Sequence, residues 1–343
     1  MSADTAAKHC VIIPFFNRVD QVRACLQELL AQALPGTEFL LVDDASTDNL
    51  VELDELLHRK EVFLIRHPRN EGVSAARNSA LQWCREHGCE LVIMIDSDCL
   101  PGPGFIETHV RLHAEMPEVP CIGAAIVGRG SSVWSRLDGI TSWVHAAPHY
   151  PQHEVKHPYH LPTTNFSVKL SRLPDRPFVF DERLHTGEDC LFIRELRRRG
   201  LPVLFSPSPV IYHRDRERLL DVLRHHYKWG HHQYFVQLGR DISPYVFNPV
   251  YRAAFLLVFV WLWPLYSLAG ATLNIAPWLS TRLGYLAYAP GVYILWLAKG
   301  IAVMEAALRP RAVLRTARAS LDYQSWQPAA QGSQVEQDGR CTA

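Results

Sequence analysis

Short apolar runs alternate with segments of helical periodicity through the N-terminal part of the chain. The runs are bounded by polar or Gly/Pro-containing stretches, which is typical of buried strands. Apolar residues recur every three or four positions in 19–33 and 73–84, which predicts helices between the strands. This alternation favours right-handed parallel crossovers in an α/β domain whose sheet is covered by helices on both faces. Four strands of this kind are predicted, at residues 10–16, 38–42, 62–65 and 91–95.

The pattern is less regular after residue 100. Residues 128–162 are rich in Gly, Pro and His, and we expect an irregular insertion there that serves as a lid or substrate loop. Ser46 or Asp48 is expected to cap the helix that follows the second strand. The remaining predicted elements are helices within 101–120 and at 187–199, and strands at 121–127, 163–170, 203–205 and 210–212.

Long uncharged segments dominate the C-terminal third of the chain. Residues 253–273 would span about 32 Å as a helix, close to the ~30 Å hydrocarbon core of a bilayer. A second segment, 283–304, reaches about 33 Å if Lys299 snorkels to the membrane surface. We therefore predict a catalytic domain, a membrane-associated or transmembrane helical hairpin and a polar, disordered tail, at residues 1–240, 241–310 and 311–343.

Arginines flank this hairpin on both sides, and only Arg282 lies between its two helices. The positive-inside rule then leaves both ends cytoplasmic. A basic amphipathic segment at 215–240 is expected to contact phosphates or a membrane surface. The hydrophobic pattern leaves open whether the hairpin spans the bilayer, lies on it, or packs as a buried helix pair.

Composition narrows the functional classes. Thirty-five basic and 35 acidic residues give a formal net charge of zero, so bulk electrostatics do not suggest a nucleic-acid partner. The N-terminus lacks the features of a signal peptide. The eight cysteines include no CxxC pair and lie mostly in apolar periodic segments, which predicts reduced core residues rather than disulfides. We expect the catalytic part on the cytoplasmic face of the plasma (inner) membrane.

Two carboxylates follow the apolar run 91–95 directly, as Asp96-Ser97-Asp98. Ligands bind beyond the carboxyl ends of strands in open α/β sheets, and oxygen ligands suit Mg²⁺ or Mn²⁺. A cation held by few protein ligands keeps positions open for the phosphates of a nucleotide. Solvated aspartates in a turn would explain this stretch equally well if it stood alone.

Further motifs occur in a fixed order along the chain, and together they resemble the inverting, nucleotide-sugar-dependent glycosyltransferases of family 2, which have the GT-A fold. The resemblance covers about residues 9–235. The motifs are Pro14-Phe15-Phe16-Asn17, Asp43-Asp44-Ala45-Ser46-Thr47-Asp48, Asn70-Glu71-Gly72 with Ala76-Arg77-Asn78, Asp96-Ser97-Asp98, Thr164-Asn165, Gly187-Glu188-Asp189 and His213.

The resemblance implies a role for each motif. Asp98 and His213 are expected to hold Mg²⁺ or Mn²⁺, which would stabilise the diphosphate leaving group. Asp189 is the expected general base for the acceptor hydroxyl, and Glu188 is expected to orient substrate hydroxyls. The implied donor site for a nucleotide-diphospho-sugar, with a UDP-sugar favoured, comprises Pro14, Phe16, Asp44, Arg77, Asp96 and Ser97.

Two departures from the family pattern bear on the product. Processive synthases carry Gln-x-x-Arg-Trp, whereas the nearest stretch here is His225-His226-Tyr227-Lys228-Trp229, so we expect transfer of one or few sugars. Polyprenyl-phosphate sugar synthases read Asp-x-Asp-Leu-Ser, whereas this chain reads Asp98-Cys99-Leu100 at that point. The expected product is a cell-surface glycan or glycolipid. The acceptor is a glycan or a lipid-linked molecule, and membrane lipid is a further partner.

Three alternatives remain. A polyprenyl-phosphate sugar synthase stays possible because of the hydrophobic hairpin. A sugar-nucleotide nucleotidyltransferase would favour a Gly-rich, Lys-bearing loop after the first strand, and residues 14–19 contain neither Gly nor Lys. An inactive membrane-bound scaffold of the same fold would be expected to have lost Asp98, Asp189 or His213, and all three are present.

Overall fold

The computed structural model describes residues 8–156, 161–173, 179–238 and 241–314. Nine strands in these segments join one sheet. The strands are β1 His9–Phe15, β2 Thr37–Asp43, β3 Val62–Arg66, β4 Leu91–Ile95, β5 Cys99–Pro101, β6 Cys121–Arg129, β7 His153–Glu154, β8 Asn165–Lys169 and β9 Val203–Arg214.

Ten α-helices occur in the same segments, and a π-helical turn at Gln233–Leu238 continues the seventh. A 3₁₀ turn at Leu283–Tyr288 precedes the ninth. The helices are α1 Val19–Leu30, α2 Asp54–Leu57, α3 Val73–Glu86, α4 Phe105–Glu115, α5 Val133–Ser142, α6 Glu188–Arg198, α7 Leu219–His232, α8 Pro249–Leu279, α9 Ala289–Leu308 and α10 Pro310–Val313.

The sheet has the order β3-β2-β1-β4-β8-β6-β9-β5, and β7 pairs with β9. The strands β3, β2, β1 and β4 are parallel, which confirms the predicted crossovers. The strand β8 is antiparallel to both β4 and β6, and β6 is parallel to β9. The carboxyl ends of β1, β2, β4 and β9 therefore meet at one edge, where the acidic motifs and His213 lie.

Three local expectations from the sequence are wrong. The predicted strands 203–205 and 210–212 are one strand, β9, because β6 pairs with both halves across a register shift between Ala124 and Ala125. The segment 128–162 was expected to be irregular, but it contains the helix α5. The Ser132 hydroxyl caps the first turn of α5 by accepting from the Ser135 N–H at 3.0 Å.

The third wrong expectation concerns the turn after β2. Asn49, and neither Ser46 nor Asp48, caps the helical turn there by accepting from the Val51 N–H at 3.0 Å. Ser46 and Asp48 instead accept from the N–H groups of Asn17 and Arg18, at 2.7 Å and 2.6 Å. These bonds tie the loop after β1 to the loop after β2, so the capping-type residues hold two loops of the site edge together.

The main core lies between the sheet and its flanking helices, and Phe39, Trp83 and Phe105 are among its largest fully buried side chains. The seven described cysteines are buried free thiols, as the sequence predicts. This apolar packing fixes the strands whose carboxyl ends carry the acidic motifs.

The C-terminal hairpin of α8 and α9 packs on the preceding α/β part of the chain through two further apolar clusters. By length and composition, 249–279 and 283–308 are both able to cross a bilayer. One face of α8, from Phe259 to Ile275, is buried against the protein, whereas the opposite face exposes large apolar side chains. The exposed stripe comprises Leu257, Trp261, Leu265 and Leu268.

Candidate active site

A cavity of about 440 Å³ lies at the edge where β1, β2, β4 and β9 end. Every site residue predicted from the sequence lines this cavity. They are Pro14, Phe16, Asp44, Arg77, Asp96, Ser97, Asp98, Glu188, Asp189 and His213. The cavity has a second wall that the sequence did not predict, formed by α5, α7 and the C-terminal hairpin.

Asp98 and His213 face each other across this edge. Their Oδ1 and Nε2 atoms are 3.5 Å apart, because the short strand β5 pairs Cys99 directly with His213. The other ring nitrogen of His213, Nδ1, lies 2.8 Å from Oδ1 of Asp215, which also accepts from the Trp143 indole N–H at 3.0 Å. A histidine that donates from Nδ1 to a carboxylate is held with Nε2 available as a metal ligand.

The charges around this pair favour a cation. Although burial opposes ionisation, His213 lowers the pKa of Asp98 to about 2. Burial likewise opposes protonation of His213, yet Asp98 and Asp215 raise its pKa to about 10. The two carboxylates therefore attract positive charge to the space beside Nε2, whether it is a proton or a divalent ion.

The donor set fits a hard cation such as Mg²⁺ or Mn²⁺. Two ligand atoms each about 2.1 Å from an ion lie about 3–4 Å apart, and the Asp98–His213 separation of 3.5 Å falls in this range. Cys99 also has its sulfur close to both atoms. Burial raises the pKa of the Cys99 thiol well above its usual value, and a hard cation prefers the oxygen and nitrogen atoms of Asp98 and His213 to a sulfur ligand.

Arg77 organises the acidic side chains. Its guanidinium is almost fully buried and donates to Glu188 Oε1 at 2.7 Å and to Asp96 Oδ1 at 2.8 Å. The second oxygen of Asp96 accepts from the Thr164 hydroxyl at 2.8 Å. Arg77 therefore neutralises the carboxylates of Asp96 and Glu188, and it lies between the Asp96-Ser97-Asp98 motif and α6.

Glu188 and Asp189 open α6 at the cavity wall. Burial and the neighbouring Asp189 raise the pKa of Glu188 to about 7, against the effect of Arg77. Burial also raises the pKa of Asp189, whose Oδ1 accepts from the Cys190 N–H at 2.8 Å. Gly187 precedes them with φ +88°, and a Cβ there would collide with the His232 ring, so α7 packs directly against the start of α6.

The opposite end of the cavity is formed by the ends of β1 and β2. Phe16 is 47% exposed there, as a residue available for stacking would be. Asp44 is buried, and its oxygens accept from the Glu71 and Gly72 N–H groups at 2.9 and 2.7 Å and lie near His67. These hydrogen bonds fix the orientation of the Asp44 carboxylate. They leave part of its capacity to accept hydrogen bonds unused.

Several residues of the cavity escaped the sequence analysis. Asp215 and Trp143 position His213, and Thr164 positions Asp96. The sequence signal for Asp215 was its place two residues after His213, at a strand end. Lys299 was expected to snorkel to a surface, but it is 3% exposed and lines the cavity, so that expectation is wrong.

Comparison with known proteins agrees with this geometry. The model of the glycosyl transferase family group 2 matches residues 91–304, and that of glycosyl transferase family 2 matches residues 10–170. The chain belongs to glycosyltransferase family 2. Its fold is GT-A: it superposes on a mannosyltransferase from Pyrobaculum calidifontis in complex with GDP-Man and Mn²⁺. That superposition has a TM-score of 0.57 at 22% identity and covers 89% of this chain and 88% of the other.

Curated relatives of this glycosyltransferase match it over part of their length. The pre-mycofactocin glycosyltransferase of Mycobacterium tuberculosis is 27% identical over 217 residues, which are 62% of this chain and 43% of that protein. The uncharacterized glycosyltransferase YibD of Escherichia coli K12 is 30% identical over 109 residues, 32% of this chain and 31% of that protein. The matched region is thus less than half the length of either relative.

Proposed function

We propose that this glycosyltransferase moves a sugar from a nucleotide-diphospho-sugar to a hydroxyl acceptor, with inversion at the anomeric carbon and dependence on Mg²⁺ or Mn²⁺. One observation carries the proposal: a single cavity holds the Asp98–His213 pair and the carboxylate of Asp189. An alternative role as an inactive scaffold predicts no turnover despite this arrangement.

The donor nucleotide would occupy the end of the cavity lined by Pro14, Phe16 and Asp44. The Phe16 ring offers a face for stacking, and Asp44 offers a fixed acceptor for a base N–H. We favour a UDP-sugar because a uracil N–H would satisfy that acceptor. The Pyrobaculum calidifontis mannosyltransferase, which has the same fold, is in complex with GDP-Man, so a guanine nucleotide is the second candidate donor.

The diphosphate would lie at Asp98 and His213, which would hold the divalent cation. A bound cation would act as a Lewis acid that stabilises the negative charge developing on the leaving group. Asp215 keeps His213 Nε2 directed at Asp98. Arg18, whose Nη1 lies 3.7 Å from Asp98 Oδ2, adds positive charge on the exposed side of the cavity.

Asp189 would accept the proton of the attacking hydroxyl. Burial raises its pKa and therefore its strength as a base, and the positive charge of Arg77 opposes part of this rise. A single base on the acceptor side supports one in-line displacement, which inverts the anomeric carbon. Glu188, held by Arg77, would orient substrate hydroxyls.

We further propose that the hairpin associates with the cytoplasmic face of a membrane by lying on it. Phe255, near the start of α8, packs on Tyr234 at 5.4 Å between ring centroids, and Trp278 donates to the Ile140 carbonyl at 2.9 Å. These contacts are about 34 Å apart along the helix, so both ends of α8 would stay on the catalytic domain. The exposed apolar stripe of α8 would then face lipid.

The location at a membrane and the lack of the processive motif support a role in cell-surface glycan or glycolipid synthesis with transfer of one or few sugars. The cavity that would receive the acceptor is lined by both the catalytic domain and the hairpin. A hydroxyl-bearing glycan and a lipid-linked acceptor both fit a cavity of this kind.

A donor screen tests the proposal. Full-length protein in detergent is incubated with UDP-, GDP-, dTDP- and CDP-sugars with Mn²⁺ or Mg²⁺, and release of the nucleoside diphosphate is measured with and without chelator. We expect release from one donor class, its loss in chelator, and its loss in Asp98→Ala but not in Asp221→Ala, a control on α7. Turnover that persists in excess chelator, or none with any donor, would contradict the proposal.

A further inference from the structure

Lys299 is a buried cation in the wall of the catalytic cavity. It lies on α9, is 3% exposed, and lines the cavity together with Trp229 of α7 and Trp296 of α9. Its Nζ is 5.1 Å from the centroid of the Trp229 ring and 4.4 Å from that of Trp296. Within the described segments, no carboxylate forms an ion pair with this ammonium group.

The protein alone does not compensate fully for burying this charge. Removing an ammonium group from water is costly, and a cation–π contact offsets only part of that cost. The nearest acidic influence, Asp138, is already bonded to Arg216 at 3.0 Å and lies 3.5 Å from His226. An anion in the cavity would supply the missing partner.

The surroundings hold Lys299 in place rather than letting it move to the surface. A Cβ at Gly230 would collide with the backbone of Lys299, so α7 and α9 are in direct backbone contact at this point. The Trp296 indole donates to Asn274 Oδ1 at 2.7 Å, which fixes one of the two rings. The cation is therefore preorganised for a ligand that enters the cavity.

The position of Lys299 indicates which ligand it would bind. Gly230 contacts Lys299, and two residues later His232 packs against Gly187, at the start of the helix that carries Asp189. Lys299 thus lies on the wall built by α7 and the hairpin, which meets the start of α6, whereas the proposed nucleotide site is on the wall built by β1 and β2. A group bound at Lys299 would belong to the acceptor.

We propose that Lys299, between Trp229 and Trp296, is a subsite for a phosphate group of a lipid-linked acceptor. The phosphate would pair with the ammonium group, and the lipid chain would leave along the hairpin, whose outer face exposes apolar side chains. The inference rests on the proposed function, because it assigns this end of the cavity to the acceptor. Burial lowers the pKa of Lys299 to about 7, so phosphate binding near that pH would be accompanied by proton uptake.

Binding of farnesyl phosphate and of farnesol tests the subsite. Full-length protein in detergent micelles is titrated with each probe, and binding is followed by tryptophan fluorescence and calorimetry. A charge-assisted contact is worth about 1.5–3 kcal/mol, so we expect the phosphate to bind roughly 10- to 100-fold more tightly than the alcohol. Equal affinities of wild-type protein for the two probes would overturn the proposal without need of any variant.

Variants assign the preference to Lys299. Lys299→Gln and Lys299→Met should abolish the preference for farnesyl phosphate over farnesol, and Lys299→Arg should retain part of this preference. The control Lys228→Gln, which removes an exposed charge on α7, should leave the preference intact. A preference that persists in both neutral variants would overturn the assignment.

A second titration, with UDP and Mn²⁺, separates the acceptor from the donor. Lys299→Gln should leave UDP affinity within about threefold of wild type. If it weakens UDP binding and leaves farnesyl phosphate binding unchanged, Lys299 serves the donor and the proposal fails. Failure of the proposed function would appear elsewhere, as an absence of donor turnover in wild-type protein that still prefers the phosphate probe.

Discussion

Asp215 provides a sharp test of how the metal site is built, because it lies behind His213 and does not face the donor directly. Its Oδ1 accepts from both His213 Nδ1, at 2.8 Å, and the Trp143 indole, at 3.0 Å. An asparagine at this position could keep both bonds through its amide oxygen and would lose only the charge. An alanine would lose the charge and both bonds, and His213 would be free to change tautomer or rotate.

The expected magnitudes follow from this difference. Loss of a carboxylate behind a metal-binding histidine costs about 10- to 100-fold in metal affinity, or about 1.4–2.7 kcal/mol. We expect Asp215→Asn near the lower limit and Asp215→Ala near the upper limit. Mn²⁺ affinity is measured by calorimetry and by Mn²⁺ titration of donor turnover, with Asp221→Asn as the control. Affinities within threefold of wild type for Asp215→Ala, or a larger loss in the asparagine variant, would show that Asp215 does not support a metal site through His213.

Three further predictions concern the membrane, the buried arginine and the base. The double variant Leu257→Glu/Trp261→Glu should stay folded but should no longer float with anionic vesicles, whereas the control Val51→Glu should still float. A double variant that still floats would exclude the α8 stripe as the lipid contact. Arg77→Leu should lower stability by ~3 kcal/mol because it leaves two carboxylates without their counterion, and a melting temperature unchanged within a degree would contradict this. Since burial raises the pKa of Asp189, its base form is lost as pH falls through a value above the ordinary 3.8. The kcat/KM should therefore decline on the acid side above pH 4, and a flat profile down to pH 4 would argue against this base.

The sequence predicted which residues meet in one cavity better than it predicted the elements around them. The carboxyl ends of parallel strands meet at one edge, so motifs at strand ends could be assigned to one cavity from their order along the chain. Asp98 and His213 are distant in sequence. Asp98 follows β4 and His213 lies at the end of β9, and both strands end at that edge. This topological rule is independent of side-chain detail, which is why it succeeded.

The contributions of α5 and the hairpin could not be predicted in the same way. The helix α5 lies between Gly- and Pro-rich flanks, and only the cap Ser132 signalled its start. A lone lysine in an apolar helix is compatible with snorkelling or with burial, and only tertiary packing against Trp229 distinguishes the two for Lys299. Apolar periodicity identifies a helix that avoids water, but it does not identify whether lipid or protein covers each face.

We propose Asp189 as the base in a metal-dependent transfer, and two measurements on one variant can decide whether it has this role. Turnover and donor affinity are measured for Asp189→Asn, which keeps the shape of the side chain but cannot accept the proton. Because removal of a general base costs about 10²–10⁴ in rate, we expect turnover to fall by that factor while donor affinity changes little. Turnover within a few-fold of wild type, with the chemical step shown to be rate-limiting, would remove Asp189 from the mechanism and leave Glu188 as the next candidate.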